Sequence, residues 1–571
     1  MKTIKFSIAA LLLIFAAGCK DFLEEDNKSN IVADTYYTTT EGYEKLINSA
    51  YSTLRNVYAY TGTSSAYLFE AGTDMYVEGR TGDQPKSLSE YRNLNPDDPY
   101  VLAFYTNLYR SIQVCNTALY FNEHTAASAN LPQRKGEMQF LRAYYYFLLV
   151  QTFGGVPIVT DYLKEPKDQF GRNTEAEVYD FIISEMKAAL DLVPETAQQY
   201  GRVNKRAVRH YLAKVYLTKG YLTKDYLMGD YSEPIGKPED FVTAAQYADQ
   251  AINGQKLTTS FEDLFYPGNE KDPEIVFSIQ YDPGSLPTQT TGGNGQGNFF
   301  GPYQGGQGGT QGYPWRNYAL CPTMYVFDAF TANDARFDAT FMINYYQRYY
   351  DYYDRKAERA NLNIKYYYKP KWDTRTAEQW KAEDPAHRNN ATVIPYSPDW
   401  EASQRTVADN ATPTVKKFDD PKSLFSVGNG SSTRDLFLAR LGETYLIAAE
   451  AYLRANNTAL AAERINEVRK RAAKPGKAAE MMISAADVNT NFILDERARE
   501  LVGEFHRWFD LKRTGTLVDR TKTLNREIKV NWFDKNINPF LGPDGKLKIL
   551  RPIPTTAIDL NKGAMTQNPG Y

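Results

Sequence analysis

Two distant stretches of the chain follow the same helical pattern, and this constrains the fold more than any other feature. In LARLGETYLIAAEAYLRANNTALAAERINEVRKRA (438–472), Leu438, Leu441, Tyr445, Ala448 and Tyr452 step by three and four. After Asn456-Asn457 the same steps link Ala461, Ile465, Val468 and Ala472. One apolar face per segment, joined by a turn, predicts an antiparallel helical hairpin. Its length of about 35 residues is close to the tetratricopeptide period. A second pair lies upstream in 212–220 and 241–252, where Ala244, Ala245, Ala248 and Ala251 make a face small enough for two helices to approach closely. A single hairpin cannot bury its own apolar face, so such repeats stack. GEMQFLRAYYYFLLVQT (136–152) adds another helix, with Leu141, Tyr145, Leu148 and Thr152 on one face and Gly154-Gly155 to end it.

The helical pattern fills about 41–255 and returns at about 430–515. EIVFSIQ (274–280) reads as a short strand. The interval of about 271–430 is an irregular insertion rich in Gly, Pro, Asn and Tyr. It holds Trp315, Trp372, Trp380 and Trp400, four of the six Trp in the chain. Within it, TGGNGQGNFFGPYQGGQGGTQGYPWRNY (291–318) contains ten Gly and six aromatic residues, and Arg316 is its only charge. A linker gains nothing from six rings. The expectation is a loop that presents aromatic faces, with glycines that let the backbone approach a ligand. The fold class expected is mainly α: tetratricopeptide-like repeats forming one superhelical frame, with a large irregular insertion of short strands and loops. Among the Tyr clusters 345–353 and 366–368, strand alternation predicts that half of the rings turn inward.

The N-terminus has Lys2 and Lys5, an apolar run from Ile8 to Ala17, and then Gly18-Cys19. This is the layout of a secretory signal whose cysteine becomes lipidated. Residues 1–18 are read as a lipoprotein signal peptide, Cys19 as the lipid anchor, 19–40 as a polar tether and 41–571 as a single domain. Net charge is −3, which gives no bulk attraction to nucleic acid. With four His, no HExxH and no CxxC, neither a metal site nor a cofactor is indicated. GGNGQG (292–297) does not match a dinucleotide-binding loop. Glu496, Glu500 and Glu504 align along 493–513, which is read as one helix with a buried stripe through Leu494, Ala498, Leu501, Phe505 and Trp508. The interleaved Arg497, Arg499 and Arg507 can pair with these carboxylates, so the row reads as structural, with no catalytic residue assigned.

Several blocks together resemble the RagB/SusD family of nutrient-binding outer-membrane lipoproteins. They are Gly18-Cys19 with KDFLEE, FYTNLYRSIQVCNTAL (104–119), GEMQFLRAYYYFLLVQTFGGVPIVT (136–160), GRVNKRAVRHYLAKVYLTKG (201–220), NDARFD (333–338), RLGETYLIAAEAY (440–452), ILDERARELVGEFHRWFDLKR (493–513) and RPIP…QNPGY (551–571). The resemblance implies a non-enzymatic, lipid-anchored protein on the cell surface of the outer membrane. Such a protein captures a glycan and hands it to a SusC-like TonB-dependent transporter. The alternative ligand is a peptide, as some RagB-like members bind. It further implies ligand contacts from two regions. The post-strand loop offers Tyr303, Tyr313, Trp315, Arg316 and Asn317, beside Asn298. Segment 78–100 offers Arg80, Tyr91, Asn93 and Tyr100. Rings can stack on the apolar faces of sugars while amides and guanidinium groups meet the hydroxyls. Segment 78–100 holds no Trp, where some starch binders place one, which disfavours a starch-like ligand.

Overall fold

The computed structural model describes residues 33–58, 64–79, 84–222, 235–282, 284, 293–302, 312–401, 410–422 and 432–571. The expected signal peptide (1–18), Cys19 and most of the expected tether lie outside these residues. The tether's last part does not: Ala33–Tyr36 is a short helix, and Asp34 pairs with Lys164 at 3.1 Å. The folded domain thus begins before residue 41.

Eight long helices build the frame. They are α1 (Thr40–Val57), α2 (Pro99–Asn122), α3 (Leu131–Phe153), α4 (Glu175–Leu192), α5 (Lys205–Gly220), α6 (Pro238–Ile252), α7 (Leu441–Arg454) and α8 (Thr458–Ala472). Their ends follow local chemistry. Asp98 caps α2 by accepting from the Tyr100 and Val101 amides, with Pro99 in the first turn. Thr174 and Glu177 form a capping box on α4. Gly154 ends α3 at φ +71°, and the left-handed Asn456 turns the chain from α7 to α8.

Each helix packs on the next, from α1 through to α8. The two separated repeats are therefore direct neighbours, with α6 lying between α5 and α7. Its alanine face is fully buried there. Helix α3 departs from the one-faced stripe expected of it: every residue from Phe140 to Phe153 is buried. A helix covered on all sides can be apolar all round.

Strand β1 (Tyr76–Val77) pairs antiparallel with β3 (Cys321–Pro322). Strand β2 (Ile275–Ile279) pairs antiparallel with β7 (Leu436–Arg440). The start of the expected 438–472 hairpin is therefore strand, and α7 begins only at Leu441. Leu438 has an apolar neighbour at either period, so its spacing alone cannot separate helix from strand. The third sheet has the order β4 (Asn344–Tyr346), β5 (Ile364–Lys369), β6 (Thr392–Pro395), with the first pair antiparallel and the second parallel. One hydrophobic core runs from Tyr43 to Ile553 and includes rings from the insertion.

The 493–513 segment is not one helix. It forms α9 (Thr490–Glu500) and α10 (Arg507–Arg513). Between them Gly503 and Phe505 have φ of +73° and +65°. The break is held by distant partners: the Gly503 amide donates to the Tyr76 hydroxyl, and the Phe505 amide to Glu70 Oε1. A hydrophobic stripe cannot register such contacts.

Candidate ligand-binding face

The two regions expected to share a ligand do meet. The β1–β3 pairing brings Tyr76 and Val77 beside Pro322 and Cys321, and Gln84 Nε2 donates to the Ala319 carbonyl. Gly79 packs against the Tyr318 ring. Tyr67 stands edge-on to both Tyr100 and Phe299, with centroid separations of 5.7 and 5.4 Å.

The individual residues divide into three groups. Tyr303 and Arg80 lie outside the described residues. Tyr313, Trp315 and Asn317 are half-buried at the surface. The Tyr313 hydroxyl donates to the Gln347 carbonyl at 2.7 Å, and its ring lies 6.5 Å from that of Tyr345. Asn317 Oδ1 accepts from the Ala319 amide, which fixes the turn behind Trp315.

The third group corrects the expectation. Arg316 is 3% exposed and paired with Asp419, and Asn298 is fully buried. Tyr91 is 1% exposed: its ring lies 4.0 Å from that of Phe540, and its hydroxyl donates to Gly72 O and accepts from Trp508 Nε1. Neither Arg316 nor Tyr91 faces solvent; both side chains are committed to internal partners. Asn93 is exposed, with φ +55°, and its carbonyl accepts from the Asn95 side chain. It sits in a turn two residues beyond Tyr91.

The Tyr clusters are more buried than strand alternation predicts. Tyr345, Tyr346, Tyr349, Tyr350, Tyr352, Tyr367 and Tyr368 are all buried, while Tyr353 and Tyr366 are partly exposed. Tyr345 packs against Tyr349 and Tyr313 on one face and Tyr367 stacks on Trp380 on the other, so rings of both alternating sets lose solvent. On one face Tyr345 packs on Tyr366 near Tyr313. On the other, Asn344, Tyr346 and Tyr367 line a cleft of about 490 Å³. Of the four insertion tryptophans, Trp380 and Trp400 are core, and Trp315 and Trp372 are half-buried.

The carboxylate row is buried and fully engaged. Glu496 meets Arg336, Arg469 and Arg499 at 2.8, 2.7 and 2.6 Å. Glu500 meets Arg336 at 2.9 Å, Arg440 at 2.6 Å and Arg471. Glu504 meets Arg440 at 2.7 Å and Lys417 at 2.5 Å. Only Arg499 is a partner from the same helix. Arg497 pairs with Asp510, and Arg507 with Asp74. Burial alone would raise the Glu500 carboxyl, but Arg471, Arg440 and Arg336 hold it down at about 2. A general acid needs the opposite shift and access to substrate. The row is a clamp between α9 and the rest of the molecule.

Among the described residues, no helix is long and apolar enough to cross a membrane. A family model described as the SusD family matches residues 273–571, and one described as "Starch-binding associating with outer membrane" matches 21–217. SusD-like protein P2 of Formosa agariphila is 25% identical over 592 residues, covering 100% of both chains. A SusD-like protein of Bacteroides ovatus is 26% identical over 291 residues, 50% of each. Among solved structures, a laminarin-binding SusD-like protein superposes with a TM-score of 0.66 at 20% identity, covering 94% of this chain and 100% of that one. Surface glycan-binding protein A from Bacteroides thetaiotaomicron superposes at 0.64 with 19% identity, over 94% and 100%. The split helical frame, the insertion set into it and a family match across more than half of its length together make this chain a member of the SusD family.

Proposed function

We propose that the chain captures oligosaccharides on the aromatic surface around Tyr313 and Trp315 and delivers them, without breaking bonds, to a SusC-like TonB-dependent transporter. A lipid on Cys19 would hold it on the outer face of the outer membrane, with the helical frame toward the transporter. The observation that carries this reading is the pair Tyr313 and Trp315: half-exposed rings on a turn anchored through Gln347 and Asn317. Rings fixed before binding lose little freedom when a sugar stacks on them. Family membership and the similarity to a laminarin-binding and a glycan-binding protein support a glycan over a peptide.

Isothermal titration across a panel of neutral oligosaccharides tests this reading. Trp315→Ala should weaken the best ligand at least about fivefold, the scale of a ring truncated at a binding centre. Wild-type affinity in that variant would remove Trp315 from the site. A peptide panel that outbinds every glycan would transfer the same surface to peptides. Steady release of reducing ends would make the protein an enzyme.

A further inference from the structure

The cleft on the opposite face of the β4–β5–β6 sheet has a charge pattern of its own. Its walls carry the rings of Tyr346, Tyr352, Tyr367 and the half-buried Trp372. They also carry three carboxylates, each with a cation of its own: Glu262 with Arg359 at 2.8 Å, Asp338 with Lys474 at 2.9 Å, and Asp373 with Arg375 at 2.7 Å. One further cation lines the cleft. Lys416 is 5% exposed, and its Nζ lies 3.7 Å from the centroid of the Tyr352 ring. Among the described residues its ammonium makes no ion pair and no hydrogen bond.

The carboxylates nearest to Lys416 do not neutralise it. Glu262, Asp338 and Asp419 all face it, but each is committed elsewhere, to Arg359, Lys474 and Arg316 respectively. Arg359 opposes Lys416 further, since its guanidinium lies 3.6 Å from the centroid of the same Tyr352 ring. A buried ammonium without a counter-charge is costly, and buried charges in proteins are normally paired. Here the unpaired one opens into a cleft lined with rings. The Tyr352 hydroxyl, which donates to Glu262 at 2.7 Å, fixes the ring beneath the ammonium.

We propose that this cleft is a second ligand site, which seats the anionic substituent of a sugar, a uronate carboxylate or a sulfate ester, on the Lys416 ammonium while the ring packs against Trp372. It is distinct from the Tyr313–Trp315 surface, where Tyr313 packs near Tyr345 on the other face of the sheet. Burial pushes Lys416 down to about 7, against the pull of Glu262. Binding of an anion requires the protonated form. Affinity therefore rises as pH falls through 7 and weakens above it.

The test is titration of the full chain at pH 6 and pH 8 with two acidic tetrasaccharides and their uncharged counterparts. One pair is tetragalacturonate and its methyl ester. The other is a κ-carrageenan tetrasaccharide and its desulfated form. At pH 6 at least one acid should bind about tenfold or more tighter than its neutral partner, the scale of a charge-assisted hydrogen bond. Which pair shows the preference tells a carboxylate site from a sulfate site. Lys416→Met should abolish the preference without lowering the thermal midpoint, because it removes an uncompensated buried charge. Trp372→Ala, at the rim, should weaken the acid in a second and independent background. Trp315→Ala should leave the preference intact, so this proposal and the neutral-glycan reading fail separately. The proposal is overturned if neither acid exceeds its neutral counterpart, or if the preference survives Lys416→Met.

Discussion

Arg316 and Trp315 are adjacent in sequence and opposite in role. Trp315 stays half-exposed, while Arg316 passes into the interior to meet Asp419, whose other carboxylate oxygen accepts from the Tyr353 hydroxyl. Arg316→Ala would leave that carboxylate buried without its cation, a loss of about 3–5 kcal/mol. The urea midpoint should fall sharply in this variant and hardly move in Trp315→Ala. If the midpoint for Arg316→Ala stays at the wild-type value, the pairing is not structural. The sequence of the loop reveals its rings and its single charge, but not where that charge goes. Asp419 stands 103 positions downstream, and nothing local marks it as the partner. Tyr91 misleads for the same reason, because its neighbours Trp508 and Phe540 come from the far end of the chain. Lys416 escapes notice altogether, since its cleft draws on residues from 262 to 474.

Helices with caps and steady periods were readable, because the signals lie within a few residues of one another. The failures fall where a partner strand or a tertiary hydrogen bond overrides the local pattern. Leu436–Arg440 is drawn into pairing with β2, and the α9–α10 break is held open by Tyr76 and Glu70. Gly503 is the hinge of that break. Its φ of +73° suits glycine, and a Cβ there would lie 2.6 Å from the Phe418 ring. Gly503→Ala should therefore cost about 1–3 kcal/mol. Loss of stability by denaturant titration, with Gly515→Ala at another left-handed glycine for comparison, separates the clash from the backbone term. Equal costs at the two positions would mean that contact with Phe418 contributes nothing.

The carboxylate clamp acts across the entire protein. Glu500 joins Arg336 of the insertion, Arg440 of β7 and Arg471 of α8. Its folded pKa of about 2 lies below the model-peptide value of 4.5. A lowered carboxylate contributes its stability above the unfolded value and loses it as pH falls toward the folded one. Acid should thus weaken the protein progressively from about pH 4.5 down to about pH 2. Frame and insertion should come apart in one transition, read together by far-ultraviolet and near-ultraviolet circular dichroism. Two separated acid transitions would show that the clamp does not couple them. A Glu500→Gln variant should flatten that acid limb while lowering stability at neutral pH.

The β2–β7 pair has a consequence for how such a protein can diversify. Ile279 and Leu436 are register partners, so the polypeptide leaves the helical stack and re-enters it at one seam. Everything between them is topologically a cassette: it can lengthen, shorten or be exchanged without altering the order in which α5, α6, α7 and α8 stack. The exchange has fixed terms: an arginine at the Arg336 position to receive Glu496 and Glu500, a lysine at the Lys417 position to receive Glu504, a strand to pair with β1, and rings that complete the shared core. A chimera that keeps those and replaces the rest should inherit the donor's ligand while retaining this chain's frame.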